Sequence, residues 1–270
     1  MFGLLCFVNC GTSEEKRPTS GTADPAPSSP PAAASADGTD SSSTSSAPKP
    51  KTPRGPIDPT KVGTIVGIVR FDGVPPERKA LSMSSGGCPE HTKPIFTEDV
   101  LVENGALANV FVHIKDGLSG WTLPPLADEP FEIDQKGCLY TPHVLGMRAG
   151  GKLLVRNSDP TTHNVNIRAQ SNDATNPIQP PGGKPVEWIP SKKELGVRFE
   201  CNLHPWMNAW VCVVDDPWFA VTGADGSFTL AGVPPGDYVL EAWHEKYGKK
   251  TAKVSLEPGG KPTANFTFKP

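Results

Sequence analysis

Three side chains that commonly bind metal ions lie within seven consecutive residues of this chain. In the stretch "CNLHPWM", two residues separate Cys201 from His204, and two more separate His204 from Met207. Thiolate, imidazole and thioether groups are donors for soft or borderline metal ions, so one ion could be held by all three. The alternative is a turn in which Met207 packs in a core and Trp206 covers the end of a sheet.

The elements that must position these residues are predicted to be β-strands. Short runs such as "GTIVGIVRF", "NVFVHI", "KLLVRN", "VRFEC" and "WVCVV" are rich in Val, Ile and Phe. Clusters of Gly, Pro, Asn and Asp separate them, and no stretch keeps the 3.6-residue period of an amphipathic helix. The sequence therefore predicts an all-β fold, either a sandwich or an open barrel.

The C-terminal part resembles the carboxypeptidase regulatory-like, or prealbumin-like, β-sandwich module. The resemblance rests on "ADGSF" at 224–228 followed by "VPPGDY" at 233–238, with Gly223 where an acidic residue is common. Such a module normally begins with a strand like "GTIVGIVRFDG", which lies far upstream at 63–73. The resemblance thus implies a split module over 57–125 and 217–270 with residues 126–216 inserted, and a simple tandem order is the alternative.

The insert resembles a cupredoxin, a Greek-key sandwich that binds copper. The stretch "VLGMRAGGKLLVRNSDPTTHNVNI" at 144–167 matches the family's approach to its first histidine ligand. "CNLHPWM" matches the amicyanin-type ligand loop, including the proline after the histidine. The resemblance implies one type 1 copper ion bound by His163, Cys201, His204 and Met207. It also implies an exposed His204 edge which, with Pro205 and Trp206, forms the docking patch for electron exchange.

The donor types support the same set of ligands. Two imidazoles, one thiolate and a weak thioether suit both oxidation states of copper. Zinc also takes Cys and His, but a thioether such as that of Met207 gains little from zinc. Groups beside the ligands normally hold them in place, and Asn164 and Asn202 are the candidates next to His163 and Cys201.

The remaining histidines and cysteines allow several assignments. His143 either anchors the structure near the site or, less in keeping with an isolated histidine, ligates the metal; His244 is expected to be a solvated loop residue. In an exported protein, Cys88 could be bridged to Cys138, with Cys138–Cys212 as the alternative pairing. Cys212 between two valines otherwise indicates a small buried hydrophobe.

The N-terminal part differs from the rest in composition. Residues 11–56 are dominated by Ser, Thr, Ala and Pro, which predicts a disordered tether because little apolar surface can be buried. Residues 1–10 resemble a partial lipoprotein signal with Cys10 as the lipidation site, although Asn9 departs from the pattern; an ordinary frayed N-terminus is the alternative. The net charge of −3 gives no indication of nucleic acid binding.

Together these features predict a carrier of single electrons rather than an enzyme. We expect an exported bacterial protein, in the periplasm or on the outer surface, that can be anchored to the membrane through its N-terminus and meets redox protein partners. Trp210 and Trp218 are further candidates for the docking patch, although core packing is the better expectation for Trp210. The alternatives are a carrier or buffer of copper without electron transfer, and a cell-surface β-sandwich interaction module.

Overall fold

Alternating apolar residues in short segments produce a fold made of strands and turns. The computed structural model describes residues 55–83, 87–88 and 91–270. These residues form the following strands: β1 (Gly55–Pro56), β2 (Gly63–Phe71), β3 (Val102–Glu103), β4 (Ala106–Leu107), β5 (Phe111–Asp116), β6 (Trp121–Thr122), β7 (Phe131–Gln135), β8 (Tyr140–Thr141), β9 (Val144–Arg148), β10 (Leu153–Asn157), β11 (His163–Asn164), β12 (Asn166–Arg168), β13 (Ile178–Gln179), β14 (Val186–Trp188), β15 (Glu194–Glu200), β16 (Asn208–Val214), β17 (Phe219–Val221), β18 (Ser227–Val233), β19 (Gly236–His244), β20 (Gly248–Leu256) and β21 (Phe266–Phe268).

The prediction of an all-β fold is confirmed. In β2 the burial alternates residue by residue, as expected for a strand with one face on a core. No helix in the described part of the chain is long and apolar enough to span a bilayer. The N-terminal residues 1–10, the lipidation candidate Cys10 and the predicted tether up to residue 54 lie outside the described residues. Gly55 and Pro56, which the prediction included in the tether, form β1 and pair with β6.

The first sandwich is built from strands at both ends of the described chain. One sheet has the order β17-β5-β19-β20, and the other has the order β18-β2-β4-β3, with β21 parallel to β2. Both sheets contribute side chains to one apolar core, including Ile65, Ile114, Leu230 and Leu240. The chain leaves this sandwich after β5 and returns to it at β17.

The second sandwich contains the strands between these two points. Its sheets have the orders β14-β10-β7-β8 and β12-β15-β16-β9, and a short pair, β11 with β13, lies beside them. The core contains Ile133, Val155 and Phe199 from the two sheets, and Cys201 and Met207 from the loop after β15. Both sandwiches belong to one compact unit.

A third apolar cluster joins the two sandwiches. It contains Phe111 and Trp243 from β5 and β19 of the first sandwich, and Val144, Cys212 and Val214 from β9 and β16 of the second. Strand β16 is therefore buried on both faces, because alternate residues enter the second core and this joining cluster. The sulfur of Cys212 lies in apolar surroundings, and burial raises the pKa of its thiol to about 12.

Two expectations about exposed residues in and near the first sandwich are wrong. His244 is not solvated: it ends β19 with 1% of its surface exposed, and its ring stacks on Tyr247 at 5.0 Å. Trp218 is 5% exposed and belongs to the first core, so it cannot form part of a docking patch. The ring of His244 is covered by Tyr247 and Phe268, and Trp218 packs in the first core, contacts that local composition does not reveal.

Candidate metal centre

A polar loop after β10 places His163 at the end of the second sandwich. Asn157, the last residue of β10, accepts a hydrogen bond from the backbone N–H of Asp159 at 3.0 Å. Its Nδ2 donates to the carbonyl oxygens of Thr161 and Gln179, at 2.9 and 3.0 Å. These bonds close the turn, and β11 then pairs His163 with Gln179 of β13. A short Asn-x-Asp turn thus fixes the backbone that carries the histidine.

The carboxylate of Asp159 fixes the ring of His163. The Nε2 atom of His163 lies 2.9 Å from Oδ2 of Asp159, and both side chains are almost fully buried. Burial lowers the pKa of His163, with a further contribution from His204, while the bond to Asp159 opposes the shift. The ring is therefore a neutral imidazole at pH 7, with Nε2–H donating to the carboxylate and the lone pair of Nδ1 available to a metal.

The three residues of the motif lie on a tight loop between β15 and β16. Cys201 begins the loop, and its backbone N–H donates to the carbonyl oxygen of Met207 at 3.2 Å. The N–H of Met207 donates in turn to the carbonyl oxygen of His204 at 2.9 Å. All three side chains are buried, with Cys201 and His204 1% exposed and Met207 fully enclosed.

The side chain of Asn164 joins this loop to β11. Its Oδ1 accepts hydrogen bonds from the backbone N–H groups of Asn202 and Leu203, at 2.8 and 3.3 Å, and contacts Sγ of Cys201 at 3.4 Å. Its Nδ2 donates to Oδ1 of Asn202 at 2.7 Å and of Asn176 at 2.5 Å. Asn164 therefore positions the ligand loop, and Asn202 acts as its partner with both backbone and side chain.

The donor atoms of three predicted ligands converge on one point. Nδ1 of His163 lies 2.9 Å from Nδ1 of His204, and Sγ of Cys201 lies 3.8 and 3.5 Å from these two nitrogens. A metal bonded to nitrogen and sulfur at about 2.0–2.3 Å keeps its ligand atoms roughly 3.5 Å apart. The two imidazole rings, the cysteine sulfur and their separations therefore fit a bound transition metal, with Met207 enclosed on the same loop.

His204 is not the exposed ligand that the resemblance implied. A disulfide bond joins Cys88 to Cys138, with an S–S distance of 2.05 Å, and its sulfur atoms lie within 4.8 Å of a ring nitrogen of His204. Trp206 also contacts His204: the ring centroids lie 5.3 Å apart, and Nε1 of Trp206 donates to the carbonyl oxygen of Cys138 at 3.0 Å. Among the predicted docking residues, Pro205 is exposed, Trp206 is half-buried and His204 is covered.

His143 lies outside the cluster of metal-binding groups. Its Nε2 contacts a carboxylate oxygen of Glu245, and it lines a cavity of about 240 Å³. Trp206 and Trp210 form other parts of that wall. Trp210 packs against Trp243 at 5.8 Å and is partly buried in the joining cluster. His143 therefore has the position of a polar anchor between the two sandwiches.

The predicted pairing of Cys88 with Cys138 is confirmed, but sequence reasoning missed Asp159 and the position of the disulfide beside His204. The carboxylate of Asp159 also accepts hydrogen bonds from the backbone N–H groups of Gly137 and Cys138, at 2.5 and 2.8 Å. The available signal was local: an aspartate four residues before a candidate histidine ligand, inside a turn. No such local signal indicates that Cys88 lies beside His204, because Cys88 comes from a part of the chain distant in sequence.

The sequence and the fold were compared with known proteins. The family model of the carboxypeptidase regulatory-like domain matches residues 201–269, which run from the ligand loop to β21. No curated protein matches the chain.

Solved structures that resemble parts of the chain include copper proteins and a cupredoxin. They include the copper-containing nitrite reductase NirK from Thermus scotoductus SA-01, with 20% identity, 36% of this chain and 24% of that chain covered, and a TM-score of 0.30. The Cu(I) form of an amicyanin variant has 21% identity, with 33% and 86% covered and a TM-score of 0.29. A purple cupredoxin from Nitrosopumilus maritimus has 20% identity, with 31% and 99% covered and a TM-score of 0.27.

The chain spans about a quarter of the length of the nitrite reductase. The chain is therefore similar to carboxypeptidase regulatory-like domains over residues 201–269 and to cupredoxins over about a third of its length.

Proposed function

We propose that the chain binds one copper ion in a type 1 site and carries single electrons in the bacterial cell envelope. The observation that supports this most directly is the convergence of three buried donor atoms, Nδ1 of His163, Nδ1 of His204 and Sγ of Cys201, within 2.9–3.8 Å of one another. Met207 completes the proposed ligand set from the same loop. A thiolate with two imidazoles and a weak thioether is the donor set of blue copper sites.

The surrounding residues suit a carrier that changes little between two oxidation states. Bound copper would supply a change of one unit of charge. The carboxylate of Asp159 keeps the Nδ1 face of His163 towards the other ligands, and Asn164 holds the backbone after Cys201. Because the cluster is buried, water is excluded from the ligand atoms. Such fixed ligands keep the rearrangement on electron transfer small.

We propose a carrier rather than an enzyme, with redox proteins as partners. The residues of the ligand loop that reach the surface are Asn202, Leu203 and Pro205, and Leu203 is 52% exposed. A small apolar patch of this kind suits weak and short-lived redox encounters. Export and membrane attachment through Cys10 are part of the same proposal.

The first test is the visible absorption spectrum of the full chain loaded with Cu(II). We expect an intense thiolate-to-copper band that Cys201→Ser abolishes. Cys212→Ser is the matched control, because Cys212 is also a buried free cysteine but lies in the joining cluster; it should leave the band unchanged. A colourless protein, or a band that survives Cys201→Ser, would contradict the proposal.

The same sample separates electron transfer from copper transport. An electron carrier should be reduced and reoxidised repeatedly with its copper retained in the presence of a mild chelator. If the chelator removes Cu(I) as fast as it forms, the chain is a carrier of the metal, with the same ligands serving delivery.

A further inference from the structure

The Cys88–Cys138 disulfide lies directly against the proposed copper site. Its two sulfur atoms and a ring nitrogen of His204 all lie within 4.8 Å of one another. Sγ of Cys138, a carboxylate oxygen of Asp159 and a ring nitrogen of His163 also lie within 4.8 Å of one another. The two sulfur atoms and the ring nitrogen are close enough to bind one metal ion together. In the oxidised protein the sulfur atoms are bonded to each other instead.

We propose that reduction of this disulfide opens a second metal site, formed by the thiolates of Cys88 and Cys138 with the ring of His204, and that this site takes monovalent copper. The inference goes beyond the proposed function: the second site shares His204 with the proposed type 1 site, but it does not use Cys201 and does not need the first site to be filled. Soft thiolate ligands select Cu(I).

The reductant of the Cys88–Cys138 disulfide is an external dithiol. The dithiol loses two electrons and two protons and becomes a disulfide, while the S–S bond of Cys88 and Cys138 breaks and yields two thiols. Binding of Cu(I) then displaces the thiol protons to solvent, since the thiolate is the form that ligates metals.

The backbone around Cys138 should keep its sulfur in place after the bond is broken. The N–H of Cys138 donates to Asp159 at 2.8 Å, and its carbonyl oxygen accepts from Nε1 of Trp206 at 3.0 Å. Neither bond involves the disulfide. Cys138 is also fully buried in the core of the second sandwich, whereas Cys88 is partly exposed. A dithiol can therefore attack the sulfur of Cys88, leaving Cys138 as the thiol that is already positioned beside His204.

The decisive experiment removes every competing thiol and the first site. The sample is the full chain with Cys6, Cys10, Cys201 and Cys212 replaced by Ser, either oxidised or reduced with a dithiol that is then removed anaerobically. Cu(I) is titrated in competition with a chromogenic Cu(I) chelator. We expect the reduced sample to retain one Cu(I) per chain and the oxidised sample to lose it to the chelator.

Two further substitutions in that background test the ligands. Adding Cys88→Ser should make the reduced sample behave like the oxidised one, and His204→Ala should weaken Cu(I) binding about tenfold or more. X-ray absorption should find two sulfur neighbours and one nitrogen around the copper. Equal binding by reduced and oxidised samples, or binding that survives Cys88→Ser, would overturn the proposal. Circular dichroism and a thermal melt of each variant establish that it is folded.

The outcome is independent of the first test. The type 1 site is judged by a band that depends on Cys201 in the oxidised protein, and the second site by thiol-dependent Cu(I) binding in a chain that lacks Cys201. Either result can be negative while the other is positive.

Discussion

At the scale of the residue, one carboxylate connects three parts of the site. Asp159 binds the ring of His163 and accepts from the backbone of Gly137 and Cys138. The ring that faces the proposed metal site and the loop that carries the disulfide are thus held by the same side chain. The buried carboxylate has its hydrogen bonds satisfied by these donors, and its bond to Nε2 of His163 keeps the imidazole in one orientation.

The role of Asn164 leads to a prediction about the ligand loop. Asn164→Ala removes two acceptor and two donor interactions, which should lower the free energy of unfolding by about 2 kcal/mol or more. The loop should also become looser, so copper should be lost to a chelator faster. Both effects can be measured by denaturant unfolding and by the rate at which the visible band decays.

Asn166→Ala is the matched control for that prediction. Nδ2 of Asn166 also bonds to Asn202 at 3.0 Å, but it binds none of the backbone N–H groups of the loop. Its substitution should leave the rate of copper loss nearly unchanged. Equal acceleration by both variants would show that Asn164 has no special part in holding the loop.

The sequence allowed part of this site to be predicted. The ligand types lie close together in "CNLHPWM", and Asn164 is adjacent to His163, so local reading identified them. The cover over His204 could not be predicted, because it depends on a disulfide between residues 50 positions apart and on how both reach the loop. Burial of one ring is a long-range property that no local motif contains.

At the scale of the element, the packing of β9 and β16 against the first sandwich sets the distance between the two sandwiches. They pair in parallel, with Gly146 opposite Cys212, and both contribute to the joining cluster or its surroundings. A Cβ atom at Gly146 would lie 2.5 Å from the ring of Phe111 and 2.6 Å from that of Phe219. The absent side chain of this glycine therefore makes room for two aromatic rings of the first sandwich.

Gly146→Ala should destabilise the fold by overpacking this contact. Buried rings cannot move aside freely, and such insertions typically lower the free energy of unfolding by about 1–3 kcal/mol. Gly223→Ala is the matched control, since a Cβ there would meet only Oδ1 of Asp225 at an ordinary 3.7 Å. Denaturant unfolding of the two variants beside the parent measures the difference. An unchanged denaturant midpoint of unfolding for Gly146→Ala would mean that the rings of Phe111 and Phe219 can move aside to admit the added methyl group.

The positions of the strands were the part of the fold that the sequence predicted best. Alternation of apolar residues and turn residues at the borders identified the strands around the site, as in β2 and β15. The end of β19 was missed because "WHEKYG" is polar, yet Tyr247 and Phe268 enclose the ring of His244 from outside the strand. Composition alone does not distinguish an exposed polar turn from one that a neighbouring aromatic residue covers.

At the scale of the whole molecule, buried ionisable groups set the dependence of stability on pH. Burial lowers the pKa of His113 and of His244 to about 4. Stability from these groups is fully present above the unfolded pKa of about 6.5 and is lost as the pH falls towards 4. Asp216 acts in the opposite sense, because burial raises its pKa to about 6 and its contribution grows as the pH falls from 6 towards 4.

Replacing His244 should reduce the sensitivity to acid. His244→Phe retains an aromatic ring beside Tyr247 but removes one titrating group, so about 2 kcal/mol of the loss between pH 7.5 and pH 5 should disappear. The substitution also removes the acceptor for the N–H of Lys246, a loss that should be the same at both pH values. The measurement is the free energy of unfolding of parent and variant at the two pH values. Parallel losses in the two proteins would contradict the assignment.

The interrupted path of the chain has a consequence for the order in which the protein can be made. The sheet that contains β2 needs β18 and β21, and the sheet that contains β5 needs β17 and β19, all of which leave the ribosome after β16. The second sandwich has all its strands by then and can close first. During synthesis β2 and β5 therefore remain without these later strands. Their open edges and apolar faces are exposed to solvent, which favours aggregation. Chaperones should therefore be needed mainly for β2 and β5, while the proposed metal-binding loop forms in a sandwich that is already folded.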